Sequence, residues 1–431
     1  MRSLSERLAL TRTMKQLGAT DPNSTRLAHL LVCETVRRRN LIDYFTNHTI
    51  APDKIVEYDL GVQSFLRLYV YQTRVVKNWS KPDIKEAENI AGLGRAILGW
   101  KALQRIEPIL GSLLTQKPEV VFESASDERR IGLQSFHPTW FVKYCARLFG
   151  RREAIRMLEA NTEQAPVYAR LNPLKAEEGE ILERLTESGV ELEKVEGLRY
   201  AYRVLSAERP PASIAPFKQG LFYVQDKASC FAAEAADPQP DTIVLDACAA
   251  PGAKTTYLAQ LMHNKGTIYS IDYLRRRARV WIREVARMGV EIASPIIADV
   301  RMPLPLELEA DVVILDPPCT STGTFRKLPS AKWRIRPRSI AKMATFQWQM
   351  LDNIAQNVKS KGTLVYSTCS IMVEENEMII ERFLKQHSEF SLVGVTPEMG
   401  MSGLRGLDKC RRLYPHVHGC NGFFIAKMQK E

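Results

Sequence analysis

The chain has 431 residues, 45% hydrophobic, 8% aromatic and 25% charged, which excludes a disordered or fibrous polypeptide and allows several domains. Lysine and arginine number 60 against 49 acidic residues, a formal charge of +11 that points to a polyanionic partner, nucleic acid foremost. Its 8 cysteines are too irregularly spaced for a disulfide framework, and nothing resembles a signal peptide or a membrane span of roughly 18 apolar residues, so a cytoplasmic protein with no membrane partner is expected.

From Leu4 to about Gln116, apolar residues recur three and four apart, as in LAHLLVCETV and SFLRLYVYQTRVV, which predicts an all-helical domain. Pro52, Pro82 and Pro108 fall where helices start or break, with Asp53 and Ser80 as caps. The polar, acidic stretch Lys117–Ser135 reads as a linker. Two amphipathic helices follow, HPTWFVKYCARLF and REAIRMLEAN. Next come VYARL, a charged helix around Lys175–Ser188, VELEKV and YAYRVL, a strand, helix, strand, strand order that predicts a small α+β module. From Asp241 the runs TIVLDA, GTIYSI, DVVIL and GTLVYST alternate with helical segments, the signature of an α/β domain with helices on both faces of a parallel sheet. Three domains are expected: residues 1–130, 131–215 and 216–431.

The first of these strands ends in Asp246 and runs through Ala247, Cys248, Ala249, Ala250, Pro251, Gly252, Ala253 and Lys254 into a helix. A tight turn of small residues lets a ligand approach the backbone beside a helix N-terminus. A phosphate-binding loop needs glycine at positions held by Cys248 and Ala253, and the G-x-G-x-x-G fingerprint is absent, so S-adenosylmethionine (SAM) fits better than a pyrophosphate cofactor. Asp272 ends the second strand 26 residues after Asp246, where a carboxylate meets ribose hydroxyls. Asp299 ends the third strand and can meet the adenine edge; the alternative is that both aspartates only start turns.

The fourth strand runs into Asp316-Pro317-Pro318-Cys319 and the fifth into Cys369-Ser370, which brings two thiols and a carboxylate to one sheet edge. Small cysteines are often mere core residues, but strand-end placement favours chemistry. The C5 carbon of cytosine becomes nucleophilic when a thiolate adds to C6, and a carboxyl group at N3 and the exocyclic amine stabilises the ring during addition. Asp316 suits that task, and a second thiol or a water acting as base has a place in the later steps that remove the C5 proton and expel the thiol.

These motifs in order resemble the Sun/Nop (RsmB-like) family of RNA cytosine-C5 methyltransferases. LDACAAPGAKT resembles its cofactor loop, DPPCTSTGTFRKLPSAKWR its proline-cysteine motif and LVYSTCSIMVEENEMII its thiol motif. VYARLNPLK, GLFYVQDKAS and RRLYPHVHGCNGFFIAKM resemble further motifs, so that the likeness spans about Ser135 to Lys427. The resemblance implies a Rossmann-like SAM-dependent methyltransferase domain, Cys369 as nucleophile, Cys319 in product release, and cofactor roles for Cys248–Lys254, Asp272, Asp299 and Asp316. The sequence departs from the family pattern at Ala253, where many relatives carry a second glycine, and at Pro317, where alanine often precedes the second proline.

The helical domain, with FLRLYVYQ and IKEAENIAG, resembles the NusB-like module of relatives, which implies RNA contacts through Arg37, Arg38, Arg39, Lys77 and Lys81, or else a solvated charged face. By the same likeness Arg170 and Asn172 of the small module cover the substrate. Trp333, with Lys327, Lys332 and Arg334, reads as an RNA path or as a core tryptophan with surface cations. Cys410, His416, His418 and Cys420 match no zinc spacing, and no metal is expected. The reading is a SAM-dependent enzyme making 5-methylcytidine in ribosomal RNA, with no DNA partner. The alternatives are a transfer-RNA methyltransferase and a non-catalytic RNA-binding assembly factor.

Overall fold

A computed structural model of the chain describes residues 6–79, 81–123, 125–304 and 308–431; Leu4 and the expected cap Ser80 lie outside them. Contacts divide the chain into two units. One is built from residues up to 163 together with 328–334, the other from 164–327 and 335–431. The expected boundary at 130 falls inside a helix, Asp127–Gln134, and the two amphipathic helices that follow, Thr139–Phe149 and Arg151–Ala160, belong to the first unit. The expected boundary at 215 falls at the start of a short helix, Ala215–Lys218, within the second unit.

The first unit is helical because its apolar residues keep a helical period. Ile42 and Phe45 of Arg39–Thr49 meet Leu66 and Tyr69 of Leu60–Val70 and Ile90 of Ile84–Leu98 in one core. Asp21 and Asp83 cap their helices by accepting from the backbone N–H of Ser24 at 2.7 Å and of Glu86 at 3.0 Å. Asp53 caps nothing: its carboxylate accepts from the Tyr58 hydroxyl at 2.9 Å. The expected linker contains the helices Pro118–Glu123 and Asp127–Gln134, held by burial of Val121, Ala125 and Leu133. Sparse apolar residues at the right spacing outweigh the polar composition there.

In the second unit, β1 (Val167–Leu171), β2 (Val190–Lys194), β3 (Ala201–Ala207) and β4 (Phe222–Val224) form an antiparallel sheet in the order β2-β3-β1-β4. The helix Glu178–Glu187 buries Ile181 and Leu185 against it. The larger sheet contains β5 (Ile243–Ala247), β6 (Thr267–Asp272), β7 (Ala293–Ile297), β8 (Ala310–Leu315), β9 (Val358–Thr368), β10 (Phe390–Val393), β11 (Met401–Ser402), β12 (Arg411–Leu413) and β13 (Phe423–Lys430). Its order is β11-β12-β13-β9-β8-β5-β6-β7, with β10 also on β13; β9 through β7 are parallel and β13 is antiparallel to β9.

Alternation along the strands builds two cores, one on each sheet face. Val244, Val312, Ile314 and Val365 face the helices Lys227–Ala236, Ala253–Leu261 and Arg275–Met288. Leu245, Val313, Leu315, Leu364 and Tyr366 face Pro337–Ile354 and Glu377–Gln386. Strands covered on both faces read as continuous apolar runs, which is why they were legible as a parallel sheet. The result is a Rossmann-like α/β architecture. No helix among the described residues is long and apolar enough to cross a membrane.

Beneath the last strands, Arg412 donates to both oxygens of Glu377 at 2.5 Å and to the Ile371 carbonyl at 3.1 Å, with both side chains almost wholly buried. Removing one member of such a pair strands a buried charge. Arg412→Met is expected to lower unfolding free energy by about 3–5 kcal/mol, measured by urea denaturation. The double replacement Glu377→Met with Arg412→Met is expected to recover part of that loss.

Candidate active site

The turn after β5 is shaped by its backbone. Cys248 adopts φ 71°, which bends the chain so that the Ala249 N–H donates to the Ile271 carbonyl of β6 at 2.8 Å. Gly252, at φ 108°, starts the helix Ala253–Leu261, and a β-carbon there would lie 3.3 Å from Trp281 Cδ1. Below the turn, the Trp281 indole donates to the Thr255 hydroxyl at 3.0 Å, which donates to Asp246 at 2.6 Å. Burial pushes the Asp246 carboxyl up to about 7, against the opposing pull of the Thr255 hydrogen bond.

Beside this turn lies a cavity of about 320 Å³. Cys248, Asp272, Asp299 and Pro318 line it together with Phe346 and Met350 of the helix Pro337–Ile354. Asp272 accepts from the Leu274 N–H at 3.0 Å through Oδ1. Its Oδ2 is buried and has no hydrogen-bond partner among the described residues, the Arg277 guanidinium standing 3.5 Å away. A ribose hydroxyl would satisfy that acceptor, so the cavity fits the nucleoside part of a cofactor. Asp299 is gripped by Arg301 at 2.6 Å, and this hydrogen bond holds its carboxyl below the usual range. Arg277, which also donates to the Ala250 carbonyl, went unnoticed in the sequence because a run of arginines carries no positional signal of its own.

The remaining candidates gather at the ends of β8 and β9. Cys319 and Cys369 lie with their sulfurs 3.4 Å apart, and the Ser321 hydroxyl is 3.5 Å from Cys369 Sγ. The hydrogen bond from Cys319, helped by Ser321 and the nearby Lys254 ammonium, lowers the Cys369 thiol pKa despite burial and Asp316. The same contact, with burial, raises Cys319 well above an ordinary thiol. Lys254 is turned from the cavity toward Asp316, to which it donates a short hydrogen bond; burial disfavours its ammonium, but Asp316 outweighs that and raises the lysine pKa. Ala249 and Ala250 are buried in the turn, and Pro251 is exposed.

Glu375 was invisible in the sequence, one glutamate among several in VEENE. It is completely buried and accepts from the Thr320 N–H and Gln347 Nε2, each at 2.8 Å, and from the Thr320 and Ser370 hydroxyls. Thr320 follows one cysteine and Ser370 the other, so this carboxylate ties the two loops together.

Several expected substrate contacts are engaged inside the protein. Arg170 is wholly buried and donates to the Ala253 carbonyl at 2.7 Å and the Thr256 hydroxyl at 2.8 Å, and burial lowers its pKa to about 10. Asn172, also wholly buried, donates to the Gly220 and Met288 carbonyls and accepts from Gln260 at 2.8 Å. Both residues hold the helix Ala253–Leu261 and its neighbours, and both are wholly buried. In the first unit Arg37 is buried and donates to the Asn161 carbonyl, Arg38 donates to Glu34 and lies over the Phe136 ring, and Arg39 pairs with Asp43 at 3.3 Å. Lys77 and Lys81 are exposed. Trp333 donates to the Val36 carbonyl at 2.6 Å, Lys332 is wholly buried, Lys327 pairs with Asp226 at 2.6 Å, and only Arg334 of that group is exposed. Cys410 and Cys420 pack in the cores on opposite sheet faces, and His418 Nδ1 accepts from the Tyr414 N–H at 2.9 Å.

Residues 233–429 match the family model of the 16S rRNA methyltransferases RsmB/F, and residues 137–208 match the ferredoxin-like domain of RsmF/B-like methyltransferases. The chain is 32% identical to the probable ribosomal RNA small subunit methyltransferase B of Bacillus subtilis, covering 98% of this chain and 94% of that relative. The crystal structure of PH0851 superposes with a TM-score of 0.84 at 29% identity over 97% of this chain and 93% of that one. NSun6 from Pyrococcus horikoshii, solved with SFG, gives a TM-score of 0.62 at 25% identity over 68% of this chain and 98% of that one.

The thiol pair carries its own test. Alkylation of Cys369 by iodoacetamide, followed by peptide mass spectrometry across pH, is expected to show a midpoint below that of an ordinary thiol. Cys319→Ala removes the donor that stabilises the thiolate, and the midpoint is expected to move up.

Proposed function

The chain belongs to the RsmB/F family of RNA cytosine-C5 methyltransferases, and we propose that it forms 5-methylcytidine in ribosomal RNA through a transient bond between Cys369 and pyrimidine C6. The observation that carries this reading is the contact of 3.4 Å between Cys319 and Cys369, beside Asp316. The near full-length likeness to a ribosomal RNA methyltransferase favours ribosomal over transfer RNA as substrate.

SAM, when bound, supplies an electrophilic methyl group. Its nucleoside end suits the cavity lined by Cys248, Asp272 and Asp299, and the relative solved with SFG, a SAM analogue, supports the assignment. The turn Cys248–Lys254 would lie under the cofactor, with backbone N–H groups at the start of the helix Ala253–Leu261.

The target base must leave its stack to reach the thiol. Cys369, held toward its thiolate form, adds to C6, and the ring becomes an enamine whose C5 takes the methyl group. Asp316 faces N3 and the exocyclic amine, and Lys254, bonded to Asp316, keeps a proton close to where density accumulates on the ring. Loss of the C5 proton then drives the Cys369 thiolate off C6. A sulfur that receives a hydrogen bond is a better leaving group, so the Cys319 contact that readies Cys369 for attack also helps its departure. The protons balance: the C5 hydrogen goes to a base, and Cys369 returns as thiolate.

Bisulfite sequencing of total RNA with and without the gene is expected to show loss of a methylated cytosine in ribosomal RNA. Cys369→Ser is expected to abolish methyl incorporation from labelled SAM, and Asp316→Asn to lower kcat by about 10²–10³-fold. Cys319→Ala is expected to accumulate an RNA adduct stable to denaturing electrophoresis. Normal methylation by the Cys369→Ser protein would refute the covalent route.

A further inference from the structure

The helix Arg275–Met288 carries six arginines and one acidic residue in 14 positions. Its buried side is set by Ala278, Trp281, Val285 and Met288. Two of the arginines are engaged: Arg277 at the Ala250 carbonyl and Asp272, and Arg287 at Glu284 and the Phe217 carbonyl. Glu284 is the only acid of the helix, so no acid of its own remains for the others.

The other four, Arg275, Arg276, Arg279 and Arg283, are all exposed, and no hydrogen bond, ion pair or ring contact to them occurs among the described residues. Arg275, Arg279 and Arg283 stand four residues apart, in one line rising roughly 6 Å per step, with Arg276 beside its start. Like charges four apart repel one another. Arg275 and Arg276 also occupy the first turn, where the helix dipole disfavours cations and where no acid is present. A face that served only solubility would mix the two signs. This one concentrates positive potential against the local preferences of the helix, as a surface does when a polyanion completes it.

The stripe also starts in the right place. Leu274 and Arg277, which flank Arg275 and Arg276 in the chain, line the cavity beside the turn after β5, so the stripe begins next to that cavity. From there the line descends the outer face of the second unit toward Arg283.

We infer that Arg275, Arg276, Arg279 and Arg283 form a docking surface for the phosphodiester backbone of the substrate RNA, engaging phosphates that flank the target cytidine. This inference rests on the RNA methyltransferase reading and deepens it by locating a contact outside the reacting groups. It replaces the basic run Arg37–Arg39, whose members are paired within the helical unit, as the electrostatic contact to expect.

The test uses the full-length protein with Arg275, Arg279 and Arg283 each changed to Gln, an exposed replacement of similar helix propensity. Binding of a labelled ribosomal RNA fragment is measured by fluorescence anisotropy between about 50 and 200 mM salt, without methyl donor. The variant is expected to bind at least about 10-fold more weakly at the lower salt, with a log–log salt slope shallower by about 2–3, the loss for three phosphates. In turnover assays KM for RNA is expected to rise with kcat unchanged, while the thermal midpoint and the SAM dissociation constant stay as in the parent. An unchanged RNA affinity and slope would overturn the inference. So would weakened binding of polyglutamate with RNA binding intact, which would assign the stripe to an acidic protein. Because binding is read without methylation, a parent protein that binds RNA through the stripe but never methylates it refutes the proposed reaction and leaves the docking surface standing.

Discussion

The candidate site depends on the burial of one carboxylate. Glu375 is fully removed from water, which is tolerable only because the Thr320 N–H, the Thr320 and Ser370 hydroxyls and the Gln347 amide all donate to it. Those donors come from three segments: the loop after β8, the loop after β9 and the helix Pro337–Ile354. Satisfying one acceptor therefore fixes three pieces of chain, and two of them carry the thiols. The backbones reinforce it, since the Gly323 N–H donates to the Cys369 carbonyl at 3.0 Å and the Gly422 N–H to the Gly323 carbonyl at 2.9 Å. A β-carbon on Gly323 would fall 1.9 Å from the Gly422 oxygen, so glycine is required where these loops touch. The sulfur contact is thus a product of the scaffold around it, and a weak S–H hydrogen bond need not hold the loops itself.

A second set of buried polar groups joins the small sheet to the turn after β5. Arg170 on β1 is placed between the Tyr257 and Tyr223 rings, 4.7 and 5.3 Å from their centroids, and reaches the first residue of the helix Ala253–Leu261. Tyr168, also on β1, donates to the Gly419 carbonyl at 2.9 Å. The antiparallel sheet is therefore anchored at both ends of the catalytic domain's sequence, near the first strand of the large sheet and near its last. That explains why contacts assign both sheets to one unit although their strand patterns differ so clearly.

Much of this fold was legible because period and position carry physical meaning. The runs ending in Asp272, Asp316 and Cys369 are strands covered on both faces, and their last residues fall at the carboxyl edge where open α/β sheets collect ligands. Strand VYARL was legible for the same reason, but the roles of Arg170 and Asn172 were not, because a polar residue after an apolar run does not announce which side of the sheet it faces. Glu375 was hidden by its neighbours Glu374 and Glu377, all acidic and differing only in surroundings. The stretch 117–135 misled through composition, since three buried apolar residues are enough to seat two short helices.

Charge was the least legible feature, and the two arginine runs show why. Arg37-Arg38-Arg39 and Arg275-Arg276-Arg277 look alike as triplets. In the first, Glu34 and Asp43 lie three or four residues from an arginine, within reach on the same helical faces, and each of the three arginines meets a carboxylate. In the second, the corresponding helical positions hold apolar residues or further arginines, and Asp272 is occupied with the cavity and Arg277. Sequence alone distinguishes the two only when each cation is asked which acid a helical turn brings to it. Net charge counts both runs equally, whereas the field a polyanion meets comes only from the cations that no neighbouring carboxylate answers.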